Sequence, residues 1–518
     1  MDIIHKLKNS AIYKSKILDL SKPSIDSACN FPTIGGCCGY IIYLCNTCFI
    51  SEENERYSRY TISPLVGSNT CHNCAFNIAC QLKNTIVSCI NDILINSNTI
   101  AILNLKYSNI SNDNVKNLCH ILERCKSVKY LNLNSNSLTD DSAMYISQLL
   151  LVNNSLLKLN IGRNNIKISG INNIVSALKI NNTLEQLNIS GCYVGPQLCY
   201  AVVDMLKYNN TIHSLNIGSN FLTRTREYED THVDSNDAYN AFNTFRFVNN
   251  CNGIKYLLES LCENRSLKKL NLKFNDICDH DRDVAKHIKM LLRNNQTLTH
   301  LDLSFNMIRN YDMVHIGKGL EMNKSLKFLN LRHNGGINNE ADGISYLSRA
   351  LVKNTSLVSL NLNDGCVRRR MSSICQALTI NNSIKALYLS ASGINVGEME
   401  MLYKSIEHNT SINILDLSSN FMDDECATYI VKLLTKNKYI RYLDIKHSSF
   451  TYHGIRNICE CIEQQYTLNH LVYDDYATLI NGLSVVAYKQ RINQYIDRNN
   501  HNNTLKNKIL YDYLVVGD

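Results

Sequence analysis

Four cysteines near the N-terminus have the spacing of a metal site. Cys45-Asn-Thr-Cys48 and Cys71-His-Asn-Cys74 are two CxxC pairs with 22 residues between them. Two such pairs can offer four thiolates to zinc in its tetrahedral geometry. The gap exceeds the usual zinc-ribbon interval, no knuckle glycine follows either pair, and the surrounding stretch is already rich in apolar cysteine. Buried thiols are therefore the competing reading, and a zinc ion here would staple a cap without doing chemistry. Catalytic residues are gathered nowhere. There is no GxxxxGK[ST] loop to cradle phosphates. His287, His300 and His315 fall on different elements of neighbouring segments, with no nucleophile in phase with them. The run Arg368-Arg369-Arg370 reads as solvated charge, with a nucleic-acid or acidic-partner contact as the alternative. The chain is expected to be non-enzymatic, with no cofactor.

Chemistry suited to recognition is concentrated around Leu270 to Leu329. Lys269, Lys273, Phe274, His300, Phe305, Phe328, Arg332 and His333 interleave aromatic rings with basic groups. That mixture is typical of the energetic centre of a protein interface. Phe274 and Phe305 have a second reading, as filling for the corner where the chain leaves a strand. Tyr442, Lys446 and His447 form a weaker group of the same kind.

Positioning such residues requires a regular frame, and the chain supplies one by repetition. The stretch Val128–Asn136 reads VKYLNLNSN, and its first leucine recurs as Leu103, Leu131, Leu159, Leu187, Leu215, Leu270, Leu301, Leu329, Leu360, Leu387, Leu415, Leu443 and, weakly, Leu471. Most steps are 28 residues. A fixed period of this size marks a solenoid, in which each unit packs on its neighbours. In each unit a short LNLxxN strand leads through a polar loop into a helical segment such as that of Ala143, Ile146, Leu149 and Leu150. Strands stack about 4.8 Å apart and helices need about 10 Å, so the array must curve with its strands inside. Residues flanking the core leucines then face the hollow. The position between the two leucines is almost always Asn or Asp, with Tyr388 the exception, and reads as scaffold. The residues before and after it are small in earlier repeats, at Gly162, Ser190, Ser214 and Gly218, and turn basic and aromatic only from Lys269 onward.

The LxxLxLxxNxL pattern with a long helical half resembles the ribonuclease-inhibitor type of leucine-rich repeat. That type also occurs in the receptor arms of NOD-like proteins and in Ran GTPase-activating proteins. The resemblance covers about three quarters of the chain. It implies an α/β horseshoe with parallel strands on the concave face and helices on the convex face. The type's asparagine stands at Asn136, Asn164, Asn220, Asn275, Asn306, Asn334 and Asn420, with Cys192, Ser108, Gly365, Ser392 and Ser448 in its place elsewhere. Two functional alternatives come with the resemblance. One is GTPase activation of the Ran-activator type, which the absence of an acidic tail disfavours. The other is an innate sensor or a microbial effector mimicking one, for which the nucleotide module is missing.

The expected organisation has three parts. Residues 1–96 form an N-terminal cap with a degenerate strand at 17–20 and the Cys-rich insertion. Residues 97–470 form the array, and 471–518 a C-terminal cap and polar tail with a closing helix near 478–498. The step from Leu215 to Leu270 is 55 residues, so about one repeat length of non-repeat sequence enters near 223–251. The composition is 45% hydrophobic with a formal net charge of +8, which favours a protein partner with an acidic surface. Nucleic acid is not the expected partner. No run of about 18 apolar residues and no secretory h-region is present, so neither a membrane partner nor export is expected. The 21 cysteines fall largely at apolar repeat positions such as Cys119, Cys199, Cys262 and Cys375, which fits reduced thiols in the cytoplasm. Sequons at Asn295, Asn323 and Asn354 recur at one phase of the repeat, which explains them without glycosylation.

Overall fold

The structure is a computed structural model that describes residues 17–19, 94, 100–228, 245–279, 281–335, 342–365, 367, 370–474 and 486–501. The two CxxC pairs, Arg368 and Arg369, and positions 478–485 of the expected closing helix lie outside the described residues. The chain forms two compact units, 1–165 and 166–518.

The first unit contains four parallel strands in sequential order, β1 (Ile17–Asp19), β2 (Ile102–Asn104), β3 (Tyr130–Asn132) and β4 (Lys158–Asn160). Helices α1 (Asn112–Arg124) and α2 (Asp140–Val152) alternate with them. Leu18 pairs with Leu103, Leu103 with Leu131, and Leu131 with Leu159. The degenerate strand expected at 17–20 is therefore a true first rung. In the second unit α3 (Ile168–Leu178), β5 (Gln186–Asn188), α4 (Gln197–Leu206) and β6 (Ser214–Asn216) precede an antiparallel hairpin, β7 (Arg224–Tyr228) and β8 (Phe245–Asn249). The described ends of the insertion thus pair with each other and not as a further rung of the parallel sheet. After it the alternation resumes with α5 (Asn252–Glu263), β9 (Lys269–Asn271), α6 (Asp283–Asn294), β10 (His300–Asp302), α7 (Asn310–Leu320), β11 (Phe328–Asn330), α8 (Gly343–Lys353) and β12 (Ser359–Asn361). It continues with α9 (Met371–Leu378), β13 (Ala386–Tyr388), α10 (Val396–Ile406), β14 (Ile414–Asp416), α11 (Asp424–Lys436), β15 (Tyr442–Asp444), α12 (Tyr452–Gln464), β16 (His470–Val472) and α13 (Val486–His501). β6 pairs directly with β9 across the hairpin, Leu215 opposite Leu270, so the array closes behind the insertion without losing register.

Each helix buries one stripe. In α6 the buried residues are Val284, Ala285, Ile288, Leu291 and Leu292, the i, i+4, i+7 spacing of a helix face. These stripes and the strand leucines make a continuous core between the two layers, with Leu270, Leu301, Leu329 and Leu360 nearly inaccessible. Cys119, Cys199, Cys262 and Cys375 are buried free thiols in this core, and burial pushes the Cys375 thiol up to about 11.

Two asparagine phases join one repeat to the next. At the strand exit, Asn334 donates from Nδ2 to the carbonyl of Leu331 in its own repeat at 3.0 Å and of Leu303 in the preceding one at 2.8 Å. Its Oδ1 accepts from the backbone N–H of Asn306 at 3.0 Å and Ile308 at 3.1 Å. At the helix end, Asn295 donates to the carbonyls of Leu261 at 2.7 Å and Asn264 at 3.0 Å, while its Oδ1 accepts from Thr297 and Leu298. Asn323 and Asn354 repeat that arrangement and all three are buried, so their sequons are the by-product of a structural position. Among the described residues no helix is long and apolar enough to cross a membrane.

Leaving buried carbonyls and N–H groups unpaired is costly, roughly 1–3 kcal/mol for each group that finds no water. Asn334→Ala is expected to lower apparent stability to urea by about 3 kcal/mol. Met307→Ala, at an exposed position, should change it by less than about 0.5 kcal/mol. Equal effects from the two substitutions would contradict the role given to the asparagine.

Candidate partner-binding face

Parallel pairing in exact-repeat register places equivalent side chains of successive strands about 4.8 Å apart. Aromatic residues at one phase must then stack. Lys269 lies opposite His300, and His300 opposite Phe328. The His300 and Phe328 rings are 4.1 Å apart and inclined by only 17°. This column lines a hollow of about 250 Å³ whose floor is the row Asn216, Asn271, Asp302, Asn330 and Asn361, with Tyr388 at the far end. The row is scaffold, as expected. The Oδ1 atoms of Asn271, Asp302 and Asn330 accept from the backbone N–H two residues on, at 2.9, 2.9 and 3.0 Å.

The structure divides the predicted cluster in two. Phe274, Phe305 and His333 are not on the strands. They occupy the turn at the strand exit, in left-handed conformation at φ 55°, 55° and 54°. That turn sends their rings to the edge of the sheet, where Phe274 and Phe305 stack at 4.0 Å and Phe305 and His333 at 4.4 Å. The corner-filling reading of Phe274 and Phe305 fails, since Phe274 is exposed and Phe305 only partly covered. Arg332 belongs to this edge column too. Its guanidinium stands 5.8 Å from the Phe305 ring centre, and its Nε donates to Asp364 Oδ2 at 2.7 Å. Arg332 is therefore a paired cation, not a free one. Lys269 and Lys273 form no ion pair among the described residues. Lys273 lies over the preceding repeat at Gly218, where an added Cβ would come within 3.0 Å of its Cγ.

His300 is the one strongly shifted histidine of the face. Burial, and then the charge of Lys269, push it down to about 4. Its imidazole is consequently neutral at pH 7 and presents a flat, uncharged surface continuous with Phe328.

Two features escaped sequence reasoning. Earlier repeats carry a separate stacked pair two positions further along the chain, Tyr193 and Phe221 at 5.3 Å. Both stand six residues after their repeat's first leucine, a phase signal that was available. The hairpin is also rooted at this edge. Arg224 Nη2 donates to Asp279 at 2.6 Å and its Nε lies 3.6 Å from Asp276, while Arg309 reaches Asp279 at 3.1 Å. No local pattern links these residues. The weaker group is different in kind. Tyr442 packs against Ala386, Tyr388 and Ile414, and His447 lies 3.5 Å from Asp474. Beside them burial, together with the charge of Asp416, pushes Asp444 up to about 6.

Comparison with known proteins agrees with this architecture. A family model described as "Leucine Rich repeat" matches residues 124–147, 263–279, 294–310 and 323–341. The chain carries leucine-rich repeats. It is 23% identical over 216 residues to the human NACHT, LRR and PYD domains-containing protein 13, a match spanning 41% of this chain and 17% of that protein. It is 24% identical over 167 residues to the protein phosphatase 1 regulatory subunit 37 homolog of Caenorhabditis elegans, covering 31% of this chain and 17% of the relative. The chain thus corresponds to about a sixth of the length of these relatives. Among solved structures it is similar to the leucine-rich-repeat-containing protein LegL7 from Legionella pneumophila, with 16% identity, a TM-score of 0.37 and coverage of 62% of this chain and 94% of that one. Repeats of this type commonly serve as protein-interaction scaffolds.

The pH dependence of the face is testable. A histidine whose pKa falls on folding binds protons more readily in the unfolded state, so it lowers stability as pH drops from about 6.5 towards 4. In NMR titrations the His300 ring is expected to titrate near pH 4. In Lys269→Met the midpoint should rise only part of the way to the ordinary value near 6.5, because burial is the larger cause. An ordinary midpoint in the unsubstituted protein would show that the ring is not buried against Phe328.

Proposed function

We propose that the chain is a non-enzymatic scaffold that holds a protein partner with an acidic surface against the concave face of β9, β10 and β11. The observation that carries this reading is Lys269, which has no ion pair among the described residues, beside the neutral His300–Phe328 stack, both opening on the same hollow. A flat apolar platform beside an available cation suits an acidic residue flanked by an apolar one, since the charge gains a partner as the neighbouring side chain is desolvated. The frame is rigid before binding, so little ordering entropy opposes capture. Phe274, Phe305, His333 and Arg332 extend the contact to the strand-exit edge, with Lys273 lying between the two columns. The long helical half and 28-residue step resemble the ribonuclease-inhibitor type, which supports the same use of the concave face.

The test compares proteins captured from the native cells by the full chain and by a Lys269→Ala, Lys273→Ala, Phe328→Ala variant. The variant's partner capture is expected to fall at least about tenfold, as for loss of interface anchors, while its circular dichroism is unchanged. Undiminished capture by the folded variant would place the contact elsewhere.

A further inference from the structure

The outer side of the second unit carries a separate concentration of charge on α6, α7 and α8. Its origin is a pair of glycines in α7. A Cβ added at Gly317 would lie 2.7 Å from the carbonyl carbon of Tyr346 in α8, and one at Gly319 would lie 2.9 Å from Leu292 Cβ in α6. Ordinary side chains at these positions would hold the helices apart, so the glycines allow both neighbours to close on α7.

That close approach crowds the solvent side. The Lys318 ammonium stands 5.2 Å from the Tyr346 ring centre and the Arg349 guanidinium 4.9 Å from it. Tyr311 meets His315 edge-on at 5.0 Å. The nearby acids are engaged already, Asp283 with Lys286 at 2.7 Å, Glu259 with His287 at 2.9 Å and Glu321 with Lys353. Lys289, Lys318 and Arg349 form no ion pair among the described residues. Three cations thus stand around His315 and Tyr346 with no ion pair of their own among the described residues. In keeping with this, burial and then Lys289, Lys318 and Lys286 push His315 below the ordinary histidine value, with Asp283 opposing.

We propose that this convex cation–aromatic patch is a docking site for a short acidic segment of a protein, distinct from the concave face. Charge complementarity selects an anion. Three helices packed at 8–10 Å span about 20 Å, the length of roughly six extended residues. Both cations are drawn onto the Tyr346 ring, so the ring is not offered for stacking by a nucleic-acid base, which single-strand binding requires.

The probe is fluorescein-labelled octaglutamate, titrated with the full chain at low salt and followed by fluorescence anisotropy. Three proteins are compared: the unsubstituted chain, Lys289→Gln/Lys318→Gln/Arg349→Gln, and Lys269→Gln/Lys273→Gln, with thermal melts to establish that each is folded. The expected result is binding that weakens at least about tenfold in the convex variant and less than about twofold in the concave one, and that fades with added salt. Absence of binding by the unsubstituted chain overturns the proposal, as does equal or greater weakening in the concave variant. Tighter binding of an oligothymidylate, lost in the same convex variant, overturns it in favour of nucleic acid. The concave variant separates this outcome from that of the capture experiment, because octaglutamate carries no apolar side chain for the His300–Phe328 platform that the concave reading requires.

Discussion

Every repeat leaves backbone groups that only its neighbour can satisfy, and asparagine at two fixed phases makes the connection. One phase sits where the chain leaves the strand, as at Asn306 and Asn334. The other sits where it leaves the helix, as at Asn323 and Asn354. In both, a side-chain amide donates backwards to a carbonyl of the previous repeat while its oxygen accepts backbone N–H groups. A carboxylate at either phase could not donate, and a leucine could do neither. Because these amides are buried, each bond is made at full strength and its loss is not compensated by water. The leucines supply the larger share of stabilisation through burial, but they tolerate a shift of the chain that the asparagines do not.

Register follows from that constraint, and the recognition chemistry follows from register. Once Leu270, Leu301 and Leu329 are in line, side chains one residue before them are forced into a column, and those four residues after them into another. Rings at those phases have no choice but to stack, which is why His300 meets Phe328 and Phe305 is sandwiched between Phe274 and His333. Stacking removes the rings from the search for partners within the chain and leaves one face of each column to the outside. The same crowding strips water from His300 and keeps it neutral beside Lys269, so the platform stays apolar next to a charge.

The irregularities are tolerated because they fall between these bonds. The hairpin enters after the asparagine Asn220 has made its contacts, and the Asn220 backbone N–H donates to Asn275 Oδ1 across 55 residues of sequence at 2.8 Å. Its root is then held by Arg224, Asp276, Asp279 and Arg309, a network of partly buried charges that solvent screens less than an exposed ion pair. On the other side, Gly317 and Gly319 alter the spacing of helices without touching the strands. The two faces of the solenoid can therefore vary independently, one by ring and charge substitutions at fixed phases, the other by helix separation.

The repeat period, the strand and helix alternation and the buried cysteines were legible in the sequence, because each depends on spacing along a chain whose neighbours are its own next repeat. So was the degenerate rung at Ile17–Asp19, 85 residues from its partner strand, since it keeps the leucine phase. The eight residues of the candidate site were found by their types, but their division was not. Whether Phe274 fills a corner or stands at an edge depends on a left-handed turn at its own φ, and that turn is set by the asparagine bonds on either side. That Arg332 is neutralised by Asp364 while Lys269 has no ion pair among the described residues depends on how far each side chain reaches across the neighbouring strand. The crowding of Lys289, Lys318 and Arg349 depends on two glycines that let helices approach. One-dimensional spacing determines which residues share a column; distance and burial, which only packing sets, decide which of them remain available to a partner.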